Sequence, residues 1–171
     1  DVVECLTETG AEILLVPNGS PYCRDKTDTR LNIAVARVKE SGLPLVYLNQ
    51  IGGQDELVFD GASFVLNADC SMVAQLPAFR EAVQLTVWTR TADGWECAQS
   101  EKAVIEEGDQ GDYSACVLGL RDYVNKNGFP SVLLGMSGGI DSAFVAALAC
   151  DALGSQRVFG ISMPSEYSSE H

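Results

Sequence analysis

The run Ser131-Val132-Leu133-Leu134-Gly135-Met136-Ser137-Gly138-Gly139-Ile140-Asp141-Ser142-Ala143 decides how this chain is read. A short apolar stretch meets a turn of glycines and serines, and a small-residue helical pattern follows through Ala146, Ala147 and Ala149. Strand, glycine-rich turn and helix N-terminus together make a phosphate cradle. Glycines let the backbone approach closely, successive N–H groups converge on one concavity, and the helix dipole favours an anion there. The stretch lacks Gly-Lys-Ser/Thr, which excludes a Walker loop, and its glycine spacing is not that of a dinucleotide fingerprint. What remains is Ser-Gly-Gly-x-Asp-Ser, in which two hydroxyls and backbone amides replace the lysine and a carboxylate can hold a metal ion. A turn that merely closes a loop would leave Ser137, Asp141 and Ser142 without a common purpose.

Composition sets the outer limits. The chain has 171 residues, 46% of them hydrophobic, which is enough for a core in one domain or two small ones. Its net charge of −13 argues against a nucleic-acid surface. A nucleotide site stays open, because the loop holds phosphate through neutral donors. No apolar stretch is long enough to span a membrane, and no signal-peptide pattern opens the chain. The six cysteines include no Cys-x-x-Cys pair, so the expectation is a cytoplasmic protein with reduced, mostly buried thiols. His171 is the only histidine, which excludes Ser-His-Asp triads and histidine-built metal sites within the chain.

Outward from the loop, the pattern alternates strand and helix. Val2, Val3 and Leu6 before Gly10 read as the end of a helix, residues 12–17 as a buried strand, and residues 25–41 as a helix stopped by Gly42. Leu45-Val46-Tyr47-Leu48 is a second strand, parallel to the first by the right-handed crossover rule. Residues 57–59, 62–66, 72–76 and 83–88 then read as an antiparallel meander. Acidic residues around Gly108 and Gly111 mark residues 99–112 as a linker. Tyr113, Val117, Leu120 and Val124 follow as an amphipathic helix ended by Gly128-Phe129-Pro130.

The loop resembles the pyrophosphate loop of the N-type ATP pyrophosphatases, which split ATP to AMP and pyrophosphate. Residues 12–22 (Glu-Ile-Leu-Leu-Val-Pro-Asn-Gly-Ser-Pro-Tyr) and 49–63 (Asn-Gln-Ile-Gly-Gly-Gln-Asp-Glu-Leu-Val-Phe-Asp-Gly-Ala-Ser) resemble a late strand, turn and hairpin of the nitrilase/carbon–nitrogen hydrolase family. That order of parts is similar to the glutamine-dependent NAD(+) synthetase family. The fold it implies is α/β: the end of a nitrilase-like α-β-β-α sandwich, then the start of a doubly wound parallel-sheet, adenine-nucleotide alpha-hydrolase-like domain. The implied boundaries are residues 1–98 for the amidase part, 99–112 for a linker and 113–171 for the ATP-pyrophosphatase part.

The resemblance also implies roles. Gly135, Met136, Ser137, Gly138, Gly139, Ile140, Asp141 and Ser142 would bind ATP, Asp141 would hold Mg²⁺, and Met163, in the strand exit 162–164, would lie at the adenine. Ser20 and Lys26 match positions that hold glutamine. Deamido-NAD would be amidated through an adenylate, with ammonia drawn from glutamine, in a homo-oligomeric parent protein. The family's Glu-Lys-Cys glutaminase triad has no counterpart here: Cys5 has no neighbouring triad glutamate, and the nucleophile's Cys-Glu-Asp turn would precede the first helix. Glu56 and Asp60 read as hairpin polarity. Because Asp1 is not a methionine and one strand-helix-strand unit cannot cover a parallel sheet, the expectation is an internal fragment, inactive and poorly soluble alone. Rival readings are another N-type pyrophosphatase, such as a GMP-synthetase-like amidotransferase, and a non-catalytic nucleotide-binding module.

Overall fold

The computed structural model describes residues 2–163; Pro164 and His171 lie outside them. Helix α1 (Val2–Glu8) leads into strand β1 (Leu14–Asn18), helix α2 (Lys26–Ser41) and strand β2 (Leu45–Asn49). Gly42 ends α2 at φ 69°, its N–H donating to the Val38 carbonyl, so glycine meets a left-handed cap at no steric cost. β1 and β2 pair in parallel. Strands β3 (Ile51–Gln54) and β4 (Leu57–Asp60) form a separate hairpin. Strands β5 (Phe64–Leu66) and β6 (Met72–Gln75) then complete a sheet of order β1-β2-β5-β6, whose last two pairings are antiparallel.

Alternation along β2 explains the layers. Leu45 and Tyr47 face α2 and pack with Leu14, Ala34, Val38, Phe64 and Leu66, and the Tyr47 and Phe64 rings stack at 4.9 Å. On the other face, Val65, Val73 and Ala74 pack on Cys97 from the hairpin of β7 (Trp88–Thr91) and β8 (Gly94–Cys97). That cover is incomplete. Leu15 and Leu48 are exposed, so β1 is buried only at Leu14 rather than along the whole of residues 12–17. Residues 83–87 also depart from expectation. Their alternation is apolar, yet they form no strand and Val83 is fully exposed, because no described strand offers them a ladder.

Helix α3 (Gly108–Lys126) follows, then strand β9 (Val132–Met136), helix α4 (Ile140–Leu153), a short 3₁₀ turn (Ser155–Arg157) and strand β10 (Val158–Ser162), parallel to β9. The stretch before α3 is pinned rather than free: Ser100 N–H donates to Val73 O and Ala103 N–H to Gln75 O, both at 2.9 Å. The apolar face of α3 is set by Gly111, Ala115, Leu118 and Val124 instead of Tyr113, Val117 and Leu120. Ala115 and Leu118 pack with Phe79, Tyr22, Ile51 and Val58, so α3 seats against the β3–β4 hairpin. Tyr113, on another side of α3, packs edge-on against Phe144 of α4 at 5.9 Å.

Glycine makes the hairpin contact possible. A Cβ on Gly53 would stand 3.0 Å from the Gly119 Cα and 3.1 Å from the Asp122 Cβ. The Gly53 N–H donates to Asp122 Oδ2 at 2.8 Å, and Lys126 Nζ donates to the Gly53 carbonyl at 2.5 Å. Gly53→Ala should therefore push α3 off the hairpin and cost about 1–3 kcal/mol, as overpacking does. Denaturant melts measure it, and an unchanged midpoint would contradict this packing.

Candidate functional site

The turn between β1 and α2 is built around a buried cation. Arg30 projects from α2, 6% exposed, and donates from Nη1 to Asp60 Oδ2 at 2.7 Å; Asp60 is 2% exposed. The rest of the guanidinium shapes the turn, Nε donating to Ser20 Oγ at 3.1 Å and Nη2 to the Ser20 and Pro21 carbonyls at 2.8 and 3.0 Å. Asn49, ending β2, closes the frame: its Oδ1 accepts from Ser20 N–H and its Nδ2 donates to Ser20 O. Lys26 Nζ donates to Pro21 O at 3.2 Å. Ser20 and Lys26 therefore belong to one turn. The Ser20 hydroxyl accepts from Arg30, which leaves its own proton to donate outward.

The middle of the turn reaches α3. Tyr22 Oη donates to Asp112 Oδ1 at 2.8 Å, and Arg24 Nε donates to Asp112 Oδ2 at 2.9 Å. Arg24 Nη2 bonds the same Asp112 oxygen and, at 2.6 Å, Asp109 Oδ1. The Arg24 hydrogen bonds, with that from Tyr22, hold the Asp112 carboxyl below the usual carboxylate range. Burial, then the bond to Asp112, pushes the Tyr22 phenol up to about 12. Tyr22 also packs edge-on against Phe79 at 5.3 Å.

The second candidate site is the 135–142 loop between β9 and α4. Gly138 takes φ +80°, a left-handed conformation natural to glycine, and Gly139 caps α4 in an extended conformation. Hydroxyls close the loop: Ser137 and Ser142 Oγ lie 3.2 Å apart, Gly139 N–H donates to Ser137 Oγ at 3.3 Å, and Ser142 Oγ donates to Gly139 O at 2.9 Å. Ile140 and Asp141 occupy the exposed first turn of α4. Gly135 and Met136 end β9, paired with Ile161 and Ser162 of β10. A Cβ on Gly135 would lie 3.5 Å from Met163 Cε, so the exposed Met163 side chain stands beside the strand that feeds the loop. Among the described residues no group of three or more His, Cys, Asp or Glu could hold a metal ion; the acidic residue in the first turn of α4 is Asp141.

Several expectations change. Asp60, read as hairpin polarity, is the buried partner of Arg30. Arg30 and Asn49 were not singled out by sequence, since their partners lie far along the chain. Cys5 is exposed on α1. Of the six cysteines, all free, Cys5, Cys23 and Cys116 are exposed and only Cys97 is buried, so the thiols are not mostly buried. Among the described residues no helix is long and apolar enough to cross a membrane.

Comparison with known proteins follows this division. The carbon-nitrogen hydrolase family model matches residues 2–93. The chain belongs to the carbon–nitrogen hydrolase family. The NAD synthase family model matches residues 112–171 of this hydrolase-family chain. A glutamine-dependent NAD(+) synthetase of Rhodobacter capsulatus is 54% identical over 99% of the chain, and one of Xanthomonas campestris 42% identical over 94%. The chain spans about a third of the length of these relatives, 31% and 29%. The solved glutamine-dependent NAD+ synthetase of Acinetobacter baumannii, in complex with adenosine diphosphate, superposes with a TM-score of 0.89 at 39% identity. That match covers 98% of this chain and 32% of the other. The α/β architecture, a nitrilase-like part followed by the start of an NAD synthase part, is thus the one expected from sequence.

Arg30→Met should leave Asp60 as an uncompensated buried carboxylate and cost about 3–5 kcal/mol. Adding Asp60→Leu should recover part of that loss, because no charge then remains buried. Denaturant melts of the single and double variants read both effects.

Proposed function

We propose that the chain is the segment of a glutamine-dependent NAD(+) synthetase that carries one edge of the glutamine site and the ATP phosphate loop. The observation that carries this reading is whole-length similarity to such enzymes, with a Ser-Gly-Gly-x-Asp-Ser loop at a strand-to-helix junction. The working boundaries are residues 1–98 for the amidase part, 99–112 for the connection and 113–171 for the ATP part. On the same reading the parent protein is a cytoplasmic homo-oligomer.

ATP binds with its phosphates over residues 135–142. The Gly138 and Gly139 amides, the Ser137 and Ser142 hydroxyls and the N-terminus of α4 all present positive ends of dipoles to the polyphosphate. Ser142 reaches the phosphate by releasing Gly139 O, and Ser137 by turning its hydroxyl outward. Met163 lies where the adenine packs. Asp141 fits a Mg²⁺ shared with ATP, since that ion keeps most of its waters and takes one or two carboxylates besides phosphate oxygens. Held by Asp141, the ion would supply positive charge against that of the pyrophosphate.

The carboxylate of deamido-NAD attacks the α-phosphorus, pyrophosphate leaves, and ammonia then displaces AMP from the adenylate to give NAD(+). Glutamine supplies the ammonia. Ser20 donates its hydroxyl proton to the amino acid's carboxylate, with Arg30 fixing the oxygen, and Lys26 adds positive charge at the same turn. The nucleophile and its Glu and Lys partners are not among these residues and belong to the rest of the parent protein.

In the complete protein, Asp141→Ala should abolish NAD(+) formation from either glutamine or free ammonia while leaving glutamine hydrolysis intact. Loss of hydrolysis as well would assign Asp141 to folding and contradict its place at the phosphates.

A further inference from the structure

We infer that Arg24 and Asp112 are positioning residues for glutamine: helix α3, which leads from the connection into the NAD synthase part, holds the 20–26 turn in its binding shape through one shared carboxylate. This rests on the reading of Ser20 and Lys26 as glutamine contacts.

The turn needs outside support. Its Ser20 end is fixed by Arg30 and Asn49, but residues between Ser20 and α2 form no regular ladder. Asp25, at its far end, sits at φ 65°, ψ 8°, a left-handed conformation that aspartate tolerates better than most side chains but that still gives the turn a sharp reversal before α2. Within the amidase part the middle of the turn is tied by Tyr22 N–H, which donates to Val58 O at 2.6 Å. Lys26 N–H also donates to Cys23 O at 3.2 Å, and the side-chain ties of Tyr22 and Arg24 reach α3: Tyr22 Oη and Arg24 Nε to the two oxygens of Asp112, and Arg24 Nη2 to both Asp112 and Asp109.

Two further features show the approach is built for this contact. A Cβ on Gly111 would stand 3.0 Å from both Tyr22 Oη and Glu106 O, so any side chain there would crowd this contact. Phe79, between Tyr22 and the Ala115–Leu118 face of α3, holds φ 56°, an unusual backbone for a bulky residue.

Exposed ion pairs contribute little stability, and Arg24 and Asp112 are 50% and 41% exposed. Their geometry is what matters: three donors converge on one carboxylate from two residues of the turn, which fixes orientation. The core beneath, closed by Arg30 and Asp60, does not depend on them. Removing the latch should therefore loosen the turn without unfolding the protein.

The test is made in the complete protein with Asp112→Asn and Arg24→Ala. Each should raise the KM for glutamine about tenfold, the size of one lost charge-assisted hydrogen bond. The kcat and the synthesis driven by free ammonia should stay within about twofold. Amide hydrogen exchange at Tyr22, whose N–H donates to Val58 O, should quicken about tenfold in Asp112→Asn. Hydrolysis of glutamine with unchanged KM and unchanged exchange would overturn the latch alone. An equal fall in ammonia-driven synthesis would overturn the positioning role in favour of a general structural one. A wild-type protein that does not hydrolyse glutamine would overturn the glutamine reading, and this inference with it.

Discussion

The buried pair of Arg30 and Asp60 constrains everything around the first candidate site. A guanidinium and a carboxylate taken out of water are costly unless each hydrogen-bonding group finds a partner, and here they do. Among the described residues no buried side-chain nitrogen or oxygen lacks a partner. Satisfying Arg30 requires α2, the end of β4 and the turn after β1 to meet at one point, and Asn49 brings in the end of β2. The pair's contribution is therefore to orientation more than to stability. It fixes where Ser20 Oγ stands and makes that oxygen accept from Arg30, which leaves the hydroxyl proton free to donate elsewhere.

Helix α3 carries that frame to the second site. It is buried on one side against the β3–β4 hairpin, where a Cβ on Gly53 or Gly119 would stand 3.0 Å from its neighbours. Elsewhere on its surface Tyr113 packs on Phe144 and donates to Asp151, both on α4, the helix whose first turn closes the 135–142 loop. One helix is thus shared by the hydrolase and synthase parts. A helix packed on two sides cannot show a single clean apolar stripe, which is why its burial was misassigned by one position at Val117 and Leu118.

Local chemistry was legible in the sequence. The 131–143 run declares strand, loop and helix because every residue its geometry needs is adjacent in the chain. The 25–41 helix with its Gly42 cap, and the parallel β1–β2 pair, are legible for the same reason. Arg30 and Asp60 were not, because a charged residue 30 positions from its partner looks like any solvated one. The 83–87 alternation promised a strand, and its failure to form one reflects the absence of a ladder partner among the described residues. Strand formation is a property of pairs of segments. The sites follow the same division: the loop is readable from contiguous residues, whereas the Arg24–Asp112 contact spans 88 positions and needed three dimensions.

Central to this account is the claim that the 135–142 loop grips ATP for cleavage between the α- and β-phosphates, not for transfer of the γ-phosphoryl group. The direct measurement is the nucleotide product formed by the complete protein from α-labelled ATP with deamido-NAD and ammonia. AMP is expected, with pyrophosphate and NAD(+) formed in equal amounts. ADP with orthophosphate would contradict it.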